Sequence, residues 1–535
     1  MAEAAEIHSY APAANAGVPP VIEPVGSAVT AFIGRTLRGP LHQPTRVDSF
    51  ADFQRQFGGL WQPSMLGYAV AQFFDNGGQC GLIVRVANGA RAPTVTLPGP
   101  GGGLRLRGVN PGTREFLRAA VDYDGIPPEE TQRFNLVVQR LQLPGTELIE
   151  EQETFRRISV DAEGDRGLAG ALAASRLVRI DGPLPTLRPQ ATAGFELGPA
   201  SGYVPSAADG DDGGAISDYD LIGSGDDLTG LAALQACGQH FSLLCIPPLS
   251  RDQDVGLATW MVASRLCRRR QALLIVDPPR EWDSAETALR ALPDWSFHST
   301  DACMFFPRIT LHDRLRGRSE VFAPGGTVAG MIAAADARVP LWSAASGTES
   351  LVRAPAQLAG PVSDGQRQRL AGHGVNTLRA VRSAASAAPE QRTLVPDVAA
   401  RPELRLLQVR RLAHCIVASI VQGTRWALLE PVSKDLWQRL RAQVEAFLES
   451  FAQHGALVGD RTEDSWFVIC DERLNAAAGE LRLLFGFAPV RPAEFLAYLV
   501  VHRAGGSSVR AVSVNRAATH RVDAVLQGLL MSAAP

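Results

Sequence analysis

Two short apolar runs constrain this chain most. Residues 241–246 and 272–276 read as buried strands, and the stretch between them, 255–269, has helical periodicity. A buried strand, a helix of about four turns and a second buried strand predict a right-handed parallel β-α-β crossover. Leu257, Trp260, Met261, Ser264 and Leu266 are assigned to the inner side of that helix. Asp277-Pro278-Pro279 ends the second strand, and residues 302–306 supply a third.

The chain of 535 residues is too long for one core, so two to four domains are expected. Upstream of the crossover the pattern is β-α-α-β. A strand at 28–34 is followed by a helix that Ser49 opens and Gly58-Gly59 closes. A second helix, 65–74, stops at Asn76-Gly77-Gly78, and a strand follows at 82–86. Residues 88–104 are rich in Gly and Pro and mark a boundary. Strands at 134–141 and 156–160 then flank Leu143-Pro144-Gly145, beside an acidic patch of Glu147, Glu150, Glu151 and Glu153. This reads as a β-rich insertion, ended by a Gly/Asp/Ser/Pro linker at 198–218. Residues 355–400 read as loop-rich.

The C-terminal part is sharply patterned. A helix at 404–421 is closed by Gly423, and residues 426–429 read as a strand. The helix 434–454 has Ser433 as N-cap and Gly455 as stop. It places Leu436, Leu440, Val444, Phe447, Leu448 and Phe451 on one face and Asp435, Arg439, Glu445 and Glu449 on the other. Strands at 466–470, 481–487 and 495–501 are expected to complete a mixed sheet.

Composition excludes several functions. A net charge of −3 gives no global basic field, so no nucleic-acid partner is expected. The arginines at 265 and 268–270 close a helix, where cations suit the C-terminal dipole. The seven cysteines form no C-x-x-C pair and sit mostly in apolar runs, which fits buried thiols made in a reducing compartment. No basic region followed by an apolar run stands at the N-terminus, and no uninterrupted apolar stretch reaches about 18 residues. Synthesis in the bacterial cytoplasm and no membrane insertion are expected.

Reactive constellations are sparse. There is no H-E-x-x-H, no Cys/His cluster, no phosphate loop and no G-x-S-x-G. Gly372-His373-Gly374 and Ser346-Gly347-Thr348 are isolated pieces of a hydrolase-like pattern. The loop from Asp209 to Asp220 mimics a calcium loop, with Asp209, Asp211 and Asp220 at its first, third and twelfth places. Gly213 stands at the fifth place, the last is Asp in place of Glu, and no helix precedes it. A solvated linker is the favoured reading, and neither a cofactor nor a catalytic residue is expected.

Three ordered stretches resemble contractile phage tail sheath proteins. The first holds Val25-Gly26-Ser27-Ala28-Val29-Thr30-Ala31-Phe32-Ile33-Gly34, Ser49-Phe50-Ala51-Asp52-Phe53 and Ala69-Val70-Ala71-Gln72-Phe73-Phe74-Asp75-Asn76-Gly77-Gly78. The second holds Leu243-Leu244-Cys245-Ile246-Pro247, Ile275-Val276-Asp277-Pro278-Pro279 and Gly374-Val375-Asn376. The third holds Gly423-Thr424-Arg425-Trp426-Ala427, Glu430-Pro431 and Ala488-Pro489-Val490-Arg491-Pro492-Ala493-Glu494-Phe495. The family's short motif near the start is missing, with Gly17-Val18-Pro19-Pro20-Val21-Ile22-Glu23 standing in its place.

The resemblance implies a multidomain α/β fold. Segments 21–90 and 215–395 would form a discontinuous, non-catalytic α/β domain of subtilisin-like fold. Segment 91–205 would be a β-rich outer insertion, and 396–505 a C-terminal α+β inner domain. Residues 1–20 and 506–535 would be terminal arms. It also implies helical self-assembly around an inner tube protein, contraction, and contacts with baseplate and terminator or cap proteins in a phage-tail-like particle, with release from the cell inside that particle. In such proteins the arms add strands to neighbouring sheets. Val18, Val21, Ile22, Val509, Val512 and Val514 are the arm candidates, with the sheet of 481–487 and 495–501 as acceptor. Arg439, Glu445 and Glu449 are candidates for touching tube or neighbours. A sheath-like cap or ring and an α/β hydrolase are the alternatives.

Overall fold

The computed structural model describes residues 21–160, 167–193, 202–343, 352–353, 356–381, 384–387, 390–397, 404–459, 462–475, 479–490 and 495–512. It divides into two compact units, 26–400 with 405–407, and 1–25 with 401–404 and 408–535.

The larger unit begins β1 (Val29–Gly34), β2 (Thr45–Val47), α1 (Phe50–Phe57), α2 (Leu66–Asp75), β3 (Cys80–Arg85). Next come β4 (Thr94–Leu97), β5 (Leu104–Gly108), β6 (Phe116–Asp122), β7 (Arg133–Leu141), β8 (Ile149–Ser159), α3 (Leu168–Ala173), β9 (Val178–Ile180) and β10 (Val204–Pro205). It continues with α4 (Asp218–Ile222), α5 (Leu231–Ala236), β11 (Leu243–Cys245), α6 (Leu257–Arg270), β12 (Leu273–Val276), α7 (Ala285–Ala291) and β13 (Ala302–Phe306). Then follow β14 (Ile309–Asp313), β15 (Arg318–Phe322), α8 (Gly325–Asp336), β16 (Gln357–Leu358), α9 (Asp364–Gly372), β17 (Val375–Val381) and β18 (Ala384–Ala387).

An eight-stranded sheet in the order β18-β17-β13-β12-β11-β1-β3-β2 organises this unit. Its six inner strands are parallel, and β18 and β2 run antiparallel at the edges. Both faces are covered, which is why the strands read as continuous apolar runs. The period of two sorts their side chains. Ala31, Ile33, Leu82, Val84, Leu274 and Val276 pack on one side with Trp260, Ala263 and Leu289. Phe32, Ile83, Leu273, Ile275 and Phe305 pack on the other with Phe53, Phe73 and Val328. Ser49 Oγ accepts from Asp52 N at 3.0 Å to start α1, and Gly58 ends it at φ 88°.

The crossover β11-α6-β12 is present and parallel, but the inner face of α6 is turned from the predicted one. Thr259, Trp260, Ala263, Ser264, Leu266 and Cys267 are buried, whereas Leu257 and Met261 are each 47% exposed. Asp218 on α4 sets the rotation, its Oδ1 accepting from Gly256 N at 2.9 Å and from Thr259 Oγ1. The 355–400 stretch expected as loop contains α9, β17 and β18.

Between β3 and α4 two antiparallel sheets, β4-β5-β9 and β10-β6-β7-β8, close on one apolar cluster that includes Leu97, Leu106, Leu117, Phe134 and Leu136. The Gly/Pro-rich boundary at 88–104 contains β4, and Pro100–Gly102 forms the turn into β5. The acidic patch lies largely along β8, where arginines neutralise it. Glu147 pairs with Arg118 at 2.7 Å, Glu150 with Arg38 at 2.8 Å, and Glu151 with Arg140 at 3.0 Å. A third small sheet, β15-β14-β16, completes the unit.

The smaller unit takes up α10 (Leu407–Gly423) from residue 408 and adds α11 (Lys434–Gln453), α12 (Thr462–Ser465), β19 (Trp466–Ile469), β20 (Leu481–Phe487), β21 (Leu496–Arg503) and β22 (Gly506–Val512). Ser433 Oγ accepts from Leu436 N at 3.1 Å, and all six apolar residues predicted for the inner face of α11 are buried. The sheet β19-β20-β21-β22 is antiparallel throughout, not mixed. Residues 425–429 form a 3-10 turn in place of the predicted strand. Gly423 and Pro431 leave that segment too short to reach a neighbouring strand, and Trp426 instead donates its indole N–H to Gln443 Oε1 at 3.1 Å. Leu407–Leu429 meets the length and hydropathy of a membrane span. Leu412, Ile416, Val417 and Ile420 are nevertheless fully buried.

Candidate assembly surfaces

Residues 21–25 run along α10. Val25 N donates to Ser419 Oγ at 3.0 Å, and Ile22 is buried where a Cβ on Gly423 would come within 2.9 Å of Ile22 Cγ1. Gly423 is therefore a close-approach glycine as well as a helix stop. Val21, by contrast, is 85% exposed. Val18 and Val514 lie outside the described residues, as does most of both terminal arms.

Val509 and Val512 pair within their own chain, opposite Val500 and Ala497 of β21, and Val512 packs against the cluster of Ile469, Leu484 and Leu499. The two strands expected to accept an arm, β20 and β21, are interior. Among the described residues the edges of this sheet are β19 and β22. An extended segment from another copy would need one of those edges.

The polar face of α11 is engaged. Arg439 pairs with Glu430 and with Asp435 at 3.0 Å, and its guanidinium lies 5.4 Å from the Trp426 ring centre. Glu445 pairs with Arg441 at 2.6 Å, and Glu449 accepts from Trp466 Nε1 at 3.3 Å. The segment after α10 was missed as a surface because it was read as a strand. It exposes Leu429, Val432 and, in part, Leu428, with Leu429 at 89%.

The Asp209–Asp220 loop does not gather its carboxylates. Asp209 accepts from Thr94 N and Oγ1 at 2.9 and 2.7 Å, Asp211 accepts from Gly213 N at 2.7 Å, and Asp220 accepts from Ser217 N at 2.7 Å to cap α4. Each carboxylate is engaged in local structure, which ties the loop to β4 while Asp209, Gly214 and Ala215 stay exposed. No metal-ligand cluster occurs among the described residues. His373 ends α9 with its N–H on Leu370 O at 3.0 Å, while residues 346–348 lie outside the described residues. All seven cysteines are thiols and five are buried, as their apolar surroundings implied.

Three buried ionisable groups stand out. Arg85, at the end of β3, is fully buried, with only Nη1 donating, to Gly39 O at 2.7 Å. Burial lowers it to about 10, against the opposing charges of Glu115 and Asp212. Asp277, at the end of β12, is raised to about 7 by burial. His502 on β21 is lowered to about 4 by burial and by the charge of Arg425.

The His502 ring bridges Thr424 Oγ1 at 2.9 Å and Ser507 Oγ at 2.6 Å, tying α10 to the turn of the β21-β22 hairpin. The unfolded ring takes a proton near pH 6.5, whereas the folded one does so near 4. Stability is therefore present above pH 6.5 and lost as pH falls towards 4, by up to about 3 kcal/mol. Amide-exchange protection of β22, corrected for intrinsic rate, should decline across that window in the wild type and stay flat in His502→Gln. Equal decline in both would remove the imidazole as the cause.

Residues 400–503 match the family described as the phage tail sheath C-terminal domain. No curated protein matches the chain in sequence. Among solved structures, a sheath tail protein from Listeria innocua is similar with a TM-score of 0.61 and 13% identity, over 90% of this chain and 96% of its own. A sheath tail protein from Desulfitobacterium hafniense gives 0.53 and 13%, over 92% and 100%. The PVC sheath complex of an extracellular contractile injection system, in its contracted state, gives 0.51 and 15%, over 92% and 97%. At these identities the likeness is one of fold: a mixed α/β multidomain architecture shared with sheath proteins along nearly the whole chain.

Proposed function

We propose that this chain, which carries a phage tail sheath C-terminal domain on a sheath-protein fold, is the sheath subunit of a contractile tail or injection particle. The observation that carries the reading is that the fold likeness spans 90% or more of this chain and of each sheath protein compared. Copies polymerise helically around an inner tube, and relaxation of the lattice drives the tube forward. Contraction needs no active site, and the buried carboxylates and thiols serve packing. Partners are further copies, the tube protein, baseplate and cap proteins; nucleic acid and membrane insertion play no part. The subunit is made in the cytoplasm and leaves the cell only within the particle.

Segments 21–90 and 215–395 act as the α/β body, of subtilisin-like type, with 91–205 as the outward insertion and 396–505 as the inner domain. The β19 and β22 edges support strand exchange, because among the described residues neither has a further strand on its outer side, where residues 1–20 of a neighbour can add. Electron microscopy of the purified protein, with and without its tube protein, should show long striated hollow tubes. Deleting residues 1–20 should abolish those tubes while circular dichroism stays unchanged. Monomers alone in every condition would defeat the sheath reading, and rings alone would favour a cap or baseplate-proximal ring.

A further inference from the structure

We infer that the α/β body carries its own head-to-tail contact with a second copy of this chain, joining the acidic tip Asp226-Asp227-Leu228 of one to the Met261/Arg265/Arg269 stripe of the next. The inference rests on the sheath reading and adds to it an interface that the terminal arms do not supply.

The two surfaces lie at opposite ends of one sheet. The tip belongs to the α4–α5 connection. Gly230 N at its end donates to His42 Nδ1 at 3.2 Å, and His42 N donates to Arg85 O at 2.9 Å, so the tip stands at the C-terminal edge of the parallel strands. Helix α6 runs back from that edge, and its last turn, with Arg265 and Arg269, lies at the N-terminal edge, where Ala272 leads into β12.

Neither surface has an oppositely charged partner among the described residues. Asp226 and Asp227 are exposed, and no cation lies within ion-pairing distance of them among the described residues. Leu228 beside them is held at φ 52° with 49% of its surface in solvent. A bulky side chain held in the left-handed region with half its surface in solvent recovers only part of its strain from local packing. At the other end Arg268 pairs with Asp301 at 3.0 Å and Arg270 covers the Phe241 ring. That leaves Arg265 and Arg269 pointing outward with no carboxylate among the described residues, Arg269 reaching only the neutral Gln235 Oε1 at 3.0 Å. Met261 sits one turn before Arg265 and is 47% exposed.

Two acids beside an exposed leucine therefore face two arginines beside an exposed methionine. The helix dipole accounts for cations in the last turn of α6, but not for an exposed methionine in the same row. Joined head to tail, each copy keeps one tip or one stripe free for a further neighbour, whereas a reciprocal two-fold pair would use both and stop at a dimer. The contact is heterologous and repeats without closing, as a helical lattice requires.

Charge exchange tests this. Arg265→Glu with Arg269→Glu, and separately Asp226→Arg with Asp227→Arg, should each raise the critical concentration for polymerisation at least about tenfold in sedimentation. The two double variants, mixed in equal amounts, should co-polymerise by alternating, because each tip then meets a stripe of opposite sign, although neither polymerises alone. The quadruple exchange in a single chain should restore wild-type polymerisation. All replaced side chains are exposed, and circular dichroism checks folding. Reversal variants that polymerise like the wild type, or a quadruple exchange that fails to recover, would overturn the interface while leaving the sheath reading intact. A wild type that does not self-associate at all would overturn both.

Discussion

Arg251→Ala is expected to lower the stability of the larger unit by about 3–5 kcal/mol, among the largest losses a single side chain there can cause. The Arg251 guanidinium pairs with Asp313 and Glu320 and lies 5.0 and 5.2 Å from the ring centres of Tyr68 and Phe322. The Asp313 side chain is fully buried. Tyr68 OH donates to its Oδ1 at 3.2 Å and Leu315 N donates to the same atom at 2.8 Å. Truncating the arginine leaves those neutral donors to hold a buried anion, which is the costly way to break an ion pair. The small β15-β14-β16 sheet and the loop before α6 should loosen first. Urea unfolding followed by limited proteolysis around residues 309–322 would show this. A double-mutant cycle with Asp313→Asn separates the pair from lost packing, because Arg251→Ala should cost much less in the Asp313→Asn background. An equal cost in both backgrounds would mean that stem packing, not charge, sets the effect.

This clamp was invisible in the sequence, and the reason is general to the chain. Local pattern located the elements whose partners are near in sequence: α1 from Ser49 and Gly58, α11 from its apolar row, and the β11-α6-β12 crossover. Arg251, Asp313 and Tyr68 are brought together by sheet topology, and no spacing announces them. The turn of α6 failed for the same reason. Trp260 alone fits several helical faces, and Asp218, about 40 residues upstream, selects the one that exposes Leu257 and Met261. The glutamates at 147–153 read only as an acidic patch, and their arginines could not be named because they come from β6, β7 and the loop after β1. Of the assembly surface, sequence offered the Val509/Val512 alternation but not its partner: the same pattern serves an exchanged strand or the hairpin seen here. The sheath resemblance was more durable than any of these assignments. It rested on the order of many short segments, and the domain match at 400–503 and the shared fold agree with it.

Asp277→Asn should stabilise the protein in a strongly pH-dependent way. Asp277 closes β12 and receives Gly325 N on Oδ1 at 2.7 Å, at the start of α8. The approach is so close that a Cβ on Gly325 would fall 2.8 Å from that oxygen, which is why glycine opens the helix. Burial raises the carboxyl to about 7 against the counteracting charge of Arg308, whereas the unfolded value is near 3.8. The folded state therefore holds its proton more tightly than the unfolded state. The stabilising contribution is complete below pH 3.8 and lost as pH climbs to about 7, leaving a buried anion that costs about 2–4 kcal/mol at pH 8. Asparagine keeps an oxygen for the Gly325 N–H and carries no charge. The variant should match the wild type near pH 4 and gain most of that energy by pH 8. Parallel denaturation curves at pH 4, 6 and 8 would measure it. A difference that does not grow with pH would show that Asp277 keeps its charge through partners at the head of α8. In that case Arg308, whose guanidinium pairs with Asp254 at 2.6 Å, would be the residue to replace next.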